Sequence, residues 1–290
     1  MRIATTETTD GFFDVSAAYI LHLEGNGRLP KVRAQLAKLN PANIVHIVHN
    51  PGSDLPPAQD IVHAYRFIFE DARSKNYDTV MVLEDDFEWG RVDKEDAVKV
   101  GEFLAKYKSH ALVYHLGCIP ACMVPVGHSS YAVLGCGTHA SIYTARCREK
   151  VLKRSKPIRD WDMYLFFNFV RFAYARPLCY QLYGPTANSK QWLNFWGITP
   201  LLRLASRMLL LDRRAEPGYS LCYFGAKCAP LVPAIVCIIL FLYGKRMYKL
   251  VYKYIPYAVR KWIPYNPNPN PNPNPNPNPN PNPNRNPKIR

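Results

Sequence analysis

The apolar run Thr79-Val80-Met81-Val82-Leu83 ends directly in three carboxylates, Glu84-Asp85-Asp86. Side chains alternate along a strand, so Glu84 and Asp86 point together from its end toward one small site. Carboxylates held that close repel one another unless a cation or a proton relieves them. Oxygen-rich sites of this kind suit Mg²⁺ or Mn²⁺, which commonly joins one or two carboxylates to the phosphates of a substrate. A solvated acidic turn is the bland alternative, and a triplet alone does not decide between the two.

The surrounding pattern places the triplet in an α/β fold. Ala17 to Leu23 reads as a buried strand followed by the turn Glu24-Gly25-Asn26-Gly27, whose glycines permit tight backbone. Leu29, Val32, Leu36 and Leu39 recur at helical spacing before Asn40-Pro41 stops the helix. Ile44 to Val48 is a second short strand, and Pro56-Pro57 opens a helix over 58–74 with Ile61, Ala64, Tyr65, Ile68 and Ala72 as its buried stripe. This β-α-β-α-β order predicts a largely parallel sheet in one domain over 17–194, with ligands at the carboxyl ends of the strands. Beyond it a helix follows Asp96, and Ala111 to Leu116 forms a strand. Tyr131 to Leu134 and His139 to Thr144 read as two short strands around a Gly-Cys-Gly turn, and Met163 to Tyr174 as an aromatic helix capped by Asp160.

Charge is unevenly placed. Residues 1–189 carry 22 Lys and Arg against 20 Asp and Glu, whereas residues 190–290 carry 15 against 2. A near-neutral front and a basic back argue against a nucleic-acid-binding core and for a tail that faces a membrane. Eight cysteines scattered through a chain of this size fit reduced thiols, and the opening residues lack an apolar signal region. The expectation is a cytosolic catalytic domain with membrane association.

Several stretches, taken in order, resemble a known family. Tyr19-Ile20-Leu21-His22-Leu23-Glu24 with Arg28, then His63, Leu83-Glu84-Asp85-Asp86, Asp160-Trp161-Asp162, and Pro177 with Gln181 and Ser189 look like glycosyltransferase family 25. That family includes lipopolysaccharide-type and procollagen-type galactosyltransferases with a GT-A fold, and the likeness covers roughly Tyr19 to Ser189. Glu24 stands where the family usually has Asp, and Val62 precedes His63 where Ser is usual.

The resemblance implies a nucleotide-sugar donor, a glycan or glycoprotein acceptor and a Mn²⁺ or Mg²⁺ ion held by Asp86 with Glu84 or Asp85 assisting. Leu23, Glu24, Arg28, His63 and Asp85 are the expected donor contacts. Arg28 reads equally as a solvated charge at a helix start, and His63 as a core or supporting histidine. An inverting transfer needs a carboxylate to take the acceptor's proton. Asp162 is the first choice and Asp160 the alternate, although helix-terminus electrostatics explains either one. Gln181, Asn188 and Ser189 are weak acceptor candidates. The competing functions are an inactive membrane adaptor that keeps the fold and another Mg²⁺- or Mn²⁺-dependent nucleotidyl or phosphoryl transferase.

One rival site needs weighing. Cys118-x₃-Cys122 with Cys136-x₂-His139 has a spacing that zinc uses, but buried thiols are the favoured reading.

The back of the chain is a different object. Leu201 to Leu211, with Arg203 and Arg207 four residues apart, has the pattern of an amphipathic helix on a surface. Cys228 to Tyr243 is uncharged, though short of the usual ~20-residue span, so a spanning helix and a re-entrant segment both remain open. Lys245, Arg246, Lys249, Lys253, Arg260 and Lys261, interleaved with aromatics, suit an anionic leaflet. The expected organisation is therefore an extension over 1–16, the domain over 17–194, a membrane-associated region over 195–265 and an unpacked Asn-Pro tail over 266–290.

Overall fold

A computed structural model describes residues 1–181, 208, 209, 211 and 214–254. Seven strands form one sheet: β1 (Arg2–Glu7), β2 (Ala17–Leu23), β3 (Ile44–Asn50), β4 (Thr79–Glu84), β6 (Leu112–Pro125), β7 (Ser130–Thr144) and β8 (Val170–Tyr174). Their spatial order is β1-β3-β2-β4-β7-β6-β8. β2 lies parallel to β3 and β4, β7 runs antiparallel to β4 and β6, and β8 is parallel to β6. Five strands thus share one direction, and the α/β architecture with a mostly parallel sheet matches the expectation. β1 enters at the edge, antiparallel to β3, so residues 2–7, read from sequence as an extension, belong to the sheet.

The helices are α1 (Leu29–Lys38), α2 (Pro57–Ser74), α3 (Lys94–Tyr107), α4 (Ala145–Leu152), α5 (Trp161–Asn168), α6 (Gly218–Cys228) and α7 (Leu231–Tyr254). α1 and α3 cover one face of the sheet and α2, α4 and α5 the other, and β4 shows how. Val80 and Val82 pack with Val62, Tyr65 and Phe69 of α2 and with Trp161 and Leu165 of α5. Met81 and Leu83 turn the other way, toward Val32 of α1 and Val100, Phe103 and Leu104 of α3. An unbroken apolar run is what a strand covered on both faces requires.

Two elements differ from the sequence reading. The Gly135-Cys136-Gly137 stretch does not reverse the chain: β7 is one long strand, and register shifts opposite β6 absorb the irregularity. A Cβ on Gly135 would collide with the Ile119 carbonyl oxygen, so this glycine permits close backbone approach rather than a turn. The expected helix from Met163 to Tyr174 ends at Asn168, and Val170–Tyr174 is instead β8. Aromatic-rich segments fit either period, and pairing with β6 decides this one. Asp160 does cap α5, accepting the Met163 N–H at 2.8 Å.

A two-stranded sheet completes the region beside the triplet. β5 (Phe87–Trp89) pairs antiparallel with β9 (Cys179–Gln181), with Phe87 opposite Gln181. This pairing returns a distant segment to the acidic end of β4.

The chain divides into two compact units, Met1–Ile235 and Val236–Arg290. The first extends beyond the boundary expected near Asn194. Leu211 and the α6 residues Tyr219, Tyr223 and Ala226 are buried with Cys118, Met123, Val133 and Ala173. Leu211, expected on a membrane-facing helix, is therefore part of this packing; residues 201–207 lie outside the described set. In the second unit, the side chains of Val236, Ile238, Ile239, Leu240, Phe241 and Leu242 are exposed. Among the described residues no single helix is long and apolar enough to cross a membrane, whereas α6 together with 231–246 meets that test by length and composition.

Candidate active site

The three acids occupy three different environments. Glu84, the last residue of β4, accepts hydrogen bonds at Oε1 from Thr138 Oγ1 at 2.9 Å and from the Tyr65 hydroxyl at 3.3 Å. Burial raises its pKa to about 8, and the charges of Asp86 and Asp162 push in the same direction. Glu84 therefore keeps its proton at neutral pH unless a cation displaces it.

Asp85 turns away and organises the β2–α1 turn. Its Oδ2 accepts the Leu23 backbone N–H at 3.0 Å and Asn26 Nδ2 at 2.6 Å, and lies 3.0 Å from His22 Nδ1. Its Oδ1 takes Arg28 Nη1 at 2.9 Å. The turn leads back to this carboxylate because Gly25 and Gly27 adopt φ of 79° and 71°, a region costly for other residues. Asp85 was expected as a donor contact; here its oxygens are engaged by protein groups.

Asp86 is buried and half satisfied. Its Oδ2 accepts Gln181 Nε2 at 3.0 Å and Arg28 Nη1 at 3.3 Å, whereas Oδ1 has no partner among the described residues. Burial raises the Asp86 pKa, and the Gln181 and Arg28 contacts offset part of that rise. Asp162, in the first turn of α5, also has a buried oxygen, Oδ1, with no partner among the described residues. Burial and then the Asp160 charge lift its pKa to about 6.

The structure thus brings together Glu84, Asp85, Asp86, Asp162, Arg28, Gln181 and the Leu23 backbone. It does not bring the others. Glu24 reaches outward to Arg2 at 2.9 Å and lies 3.6 Å from His49. His63 is exposed and faces a separate cavity, which corrects its reading as a core or supporting histidine. Asp160 is occupied as the α5 cap. Asn188 and Ser189 lie outside the described residues.

Tyr65 and Thr138 are partners of Glu84 that the sequence reading missed. Tyr65 was assigned only to the buried stripe of α2. It packs on Trp161 with ring centroids 4.4 Å apart, linking Glu84 to the helix that carries Asp162. Thr138 was hidden inside the supposed turn of β7.

Among the described residues, no three His, Cys, Asp or Glu side chains converge to hold an ion by themselves. The orphaned Asp86 Oδ1 beside Glu84 nevertheless fits a hard cation that takes one or two protein oxygens and completes its shell with phosphate and water. At the rival thiol site, Cys118 Sγ lies 3.6 Å from the Tyr223 hydroxyl and His139 Nε2 lies 3.4 Å from the Cys179 carbonyl oxygen.

No protein-family model matches the chain, and no curated protein does. Among solved structures it is similar to A197 from STIV, with 17% identity over 54% of this chain and 80% of that one, at a TM-score of 0.38. It is also similar to a glycosyltransferase involved in glycosylation of the major capsid of PBCV-1, with 9% identity over 61% and 97%, at 0.37. A UDP-glucose pyrophosphorylase from Acinetobacter baumanii follows at 15% identity over 63% and 71%, with a TM-score of 0.31. At such identities and scores, nothing about a reaction carries over from these proteins.

Proposed function

We propose that this protein is a metal-dependent glycosyltransferase that moves a hexose or pentose from a nucleotide sugar to a glycan or glycoprotein acceptor, with inversion. The observation that carries the reading is the meeting of three carboxylates, buried Asp86 and half-buried Glu84 and Asp162; Asp86 and Asp162 each hold a buried oxygen that no group among the described residues satisfies. Leaving buried charge unpaired is costly, and such sites concentrate where chemistry is done.

Mn²⁺ or Mg²⁺ held by Asp86 with Glu84 would supply charge neutralisation for a diphosphate leaving group. Arg28, ordered by Asp85, presents a guanidinium beside Asp86 and adds positive charge on the donor side. Gln181 fixes the orientation of Asp86. Asp162, with a pKa near 6, is ionised at neutral pH yet basic enough to act as a general base. As the acceptor oxygen bonds to the anomeric carbon and the bond to the diphosphate breaks, the hydroxyl proton passes to Asp162. The sugar goes to the acceptor, and a nucleoside diphosphate leaves.

We further assign the basic, apolar region beyond α6 to an anionic membrane leaflet, with the catalytic domain on the cytosolic side. The exposed apolar side chains of α7 and the Lys and Arg excess behind them support this placement.

The deciding experiment is a panel of nucleotide sugars tested with and without Mn²⁺ for thermal stabilisation and for the product released. A donor that binds only the folded state must stabilise it. Mn²⁺-dependent stabilisation with release of nucleoside diphosphate is expected. Release of inorganic pyrophosphate would indicate a nucleotidyl transferase, and no response to any donor would leave a non-catalytic protein.

A further inference from the structure

A concave site lies apart from Glu84, Asp86 and Asp162, none of which lines it. It is a cavity of about 490 Å³ between α2 and the segment that joins α4 to α5. Its walls bring His63, Arg66, Arg154, Lys156 and Arg159 together, with Glu70 as the one carboxylate. The fold places them there in a simple way: Gln59, His63, Arg66 and Glu70 recur at helical spacing on a face of α2 that adjoins its buried stripe of Val62, Tyr65 and Phe69.

No carboxylate among the described residues forms an ion pair with these cations. Arg66 spends its guanidinium on the carbonyls of Val151 and Leu152, at 3.3 and 3.4 Å, where it closes the end of α4. Arg154 lies over the Tyr164 ring at 4.9 Å, and its buried Nε has no hydrogen-bond partner among the described residues. None of the ion pairs found among the described residues includes Lys156, Arg159, Arg154 or Glu70. Like charges gathered in a concavity raise its potential and favour an anion. Phe67 and Ile158 add apolar wall. The volume suits a small organic molecule rather than a bare ion.

We propose that this cavity binds the phosphate group of a small phosphorylated molecule, of the size of a sugar phosphate, at a site distinct from the carboxylate centre. Lys156 and Arg159, exposed and free to reorient, supply the charge that grips it. The Arg154 Nε–H supplies a fixed donor, and Phe67 and Ile158 meet the organic body. The inference does not depend on the identity of the reaction at Asp86 and Asp162.

The test uses the full chain in chelator, so that no metal recruits phosphate to the carboxylates. Glucose 6-phosphate is titrated while the His63 ring and Arg154 Nε–H resonances are followed by NMR, with glucose as the uncharged control. Saturable shifts at both residues are expected with glucose 6-phosphate and none with glucose. The Lys156→Ala/Arg159→Ala variant should bind at least about tenfold more weakly. Arg28→Ala, which changes the carboxylate site and its supporting turn but no wall of this cavity, should bind as the parent does when its far-UV spectrum and unfolding midpoint show it folded at the titration temperature. Equal binding of glucose overturns the proposal, as does binding undiminished in the double variant or lost in Arg28→Ala. Binding to phosphatidic acid vesicles without any shift from soluble phosphate also overturns it, in favour of a lipid surface.

Discussion

Arg28 lies 3.3 Å from Asp86 Oδ2 and leaves the other oxygen of that carboxylate buried without a partner among the described residues. One oxygen is therefore held by the protein, and one is available to a cation. Asp86→Ala should keep the fold, abolish Mn²⁺-dependent stabilisation by a donor and lower transfer by at least about 100-fold. Thermal shift with and without Mn²⁺ reads the first effect and product release the second; retained Mn²⁺-dependent turnover would move the metal elsewhere.

Asp85 has the opposite profile. Its buried carboxylate meets His22, Leu23, Asn26 and Arg28, so its loss strips four groups of their partner at once. Asp85→Ala should destabilise the domain by roughly 2–4 kcal/mol, measured by urea unfolding, because it leaves buried donors and part of an ion pair uncompensated. A change below about 0.5 kcal/mol would mean that the turn does not depend on it.

These contrasting roles mark how far the sequence could be read. Strand alternation reaches only as far as Glu84, where β4 ends: Asp85 and Asp86 lie in the turn that follows, and Arg28 Nη1 contacts both of them, so period-two geometry does not sort the three acids. Gln181 was legible as a site residue through family resemblance, but its contact with Asp86 depends on β5 pairing with β9 across more than ninety positions. Tyr65 and Thr138 could not be read as partners of Glu84. The first looks like any buried residue of an amphipathic helix. The second sits beside glycines that imitate a turn and in fact let β7 pass close to Ile119. His63 shows the reverse failure: a motif position marked it, and the helix phase points it out of the core.

Asp162 is raised to about 6 by burial and by Asp160. If it takes the acceptor's proton, transfer should rise as pH increases through about 6 and level off above, because only the ionised carboxylate accepts a proton. Asp162→Asn should leave Mn²⁺-dependent donor binding intact and reduce kcat by about 10²–10⁴. A pH–rate profile of the parent and a donor titration of the variant check both statements; unchanged turnover in the variant would assign the base to another group.

Glu84 links stability to pH in the metal-free protein. In the folded state it holds its proton up to about pH 8, whereas an unfolded chain releases it near the ordinary value of 4.5. Between those values the folded state binds more protons, so this group's contribution to stability falls as pH rises and is lost through about 8. Glu84→Gln keeps the shape without the titration. In chelator, the variant should match the parent near pH 5 and exceed it by roughly 2–4 kcal/mol near pH 9. Parallel stability curves for the two proteins would show that Glu84 does not carry the effect.

The extent of the catalytic unit yields the last prediction. Tyr219 and Tyr223 on α6 are almost fully buried with Leu211, Cys118 and Met123. Tyr219 also accepts the Gln181 backbone N–H at 3.0 Å and donates to the Gln181 carbonyl at 3.1 Å, bracketing the residue that orients Asp86. Ending the chain at residue 199 removes both tyrosines and exposes their partners. Each buried aromatic is worth about 1.5–3 kcal/mol, so that fragment should unfold at much lower urea concentration or precipitate. Ending it at residue 235 keeps the first compact unit whole and should leave stability and donor binding close to those of the full chain. Urea unfolding and a donor thermal shift on the two fragments separate the cases: equal stability would show that α6 is dispensable, and failure of both would place residues beyond Ile235 within the folding unit.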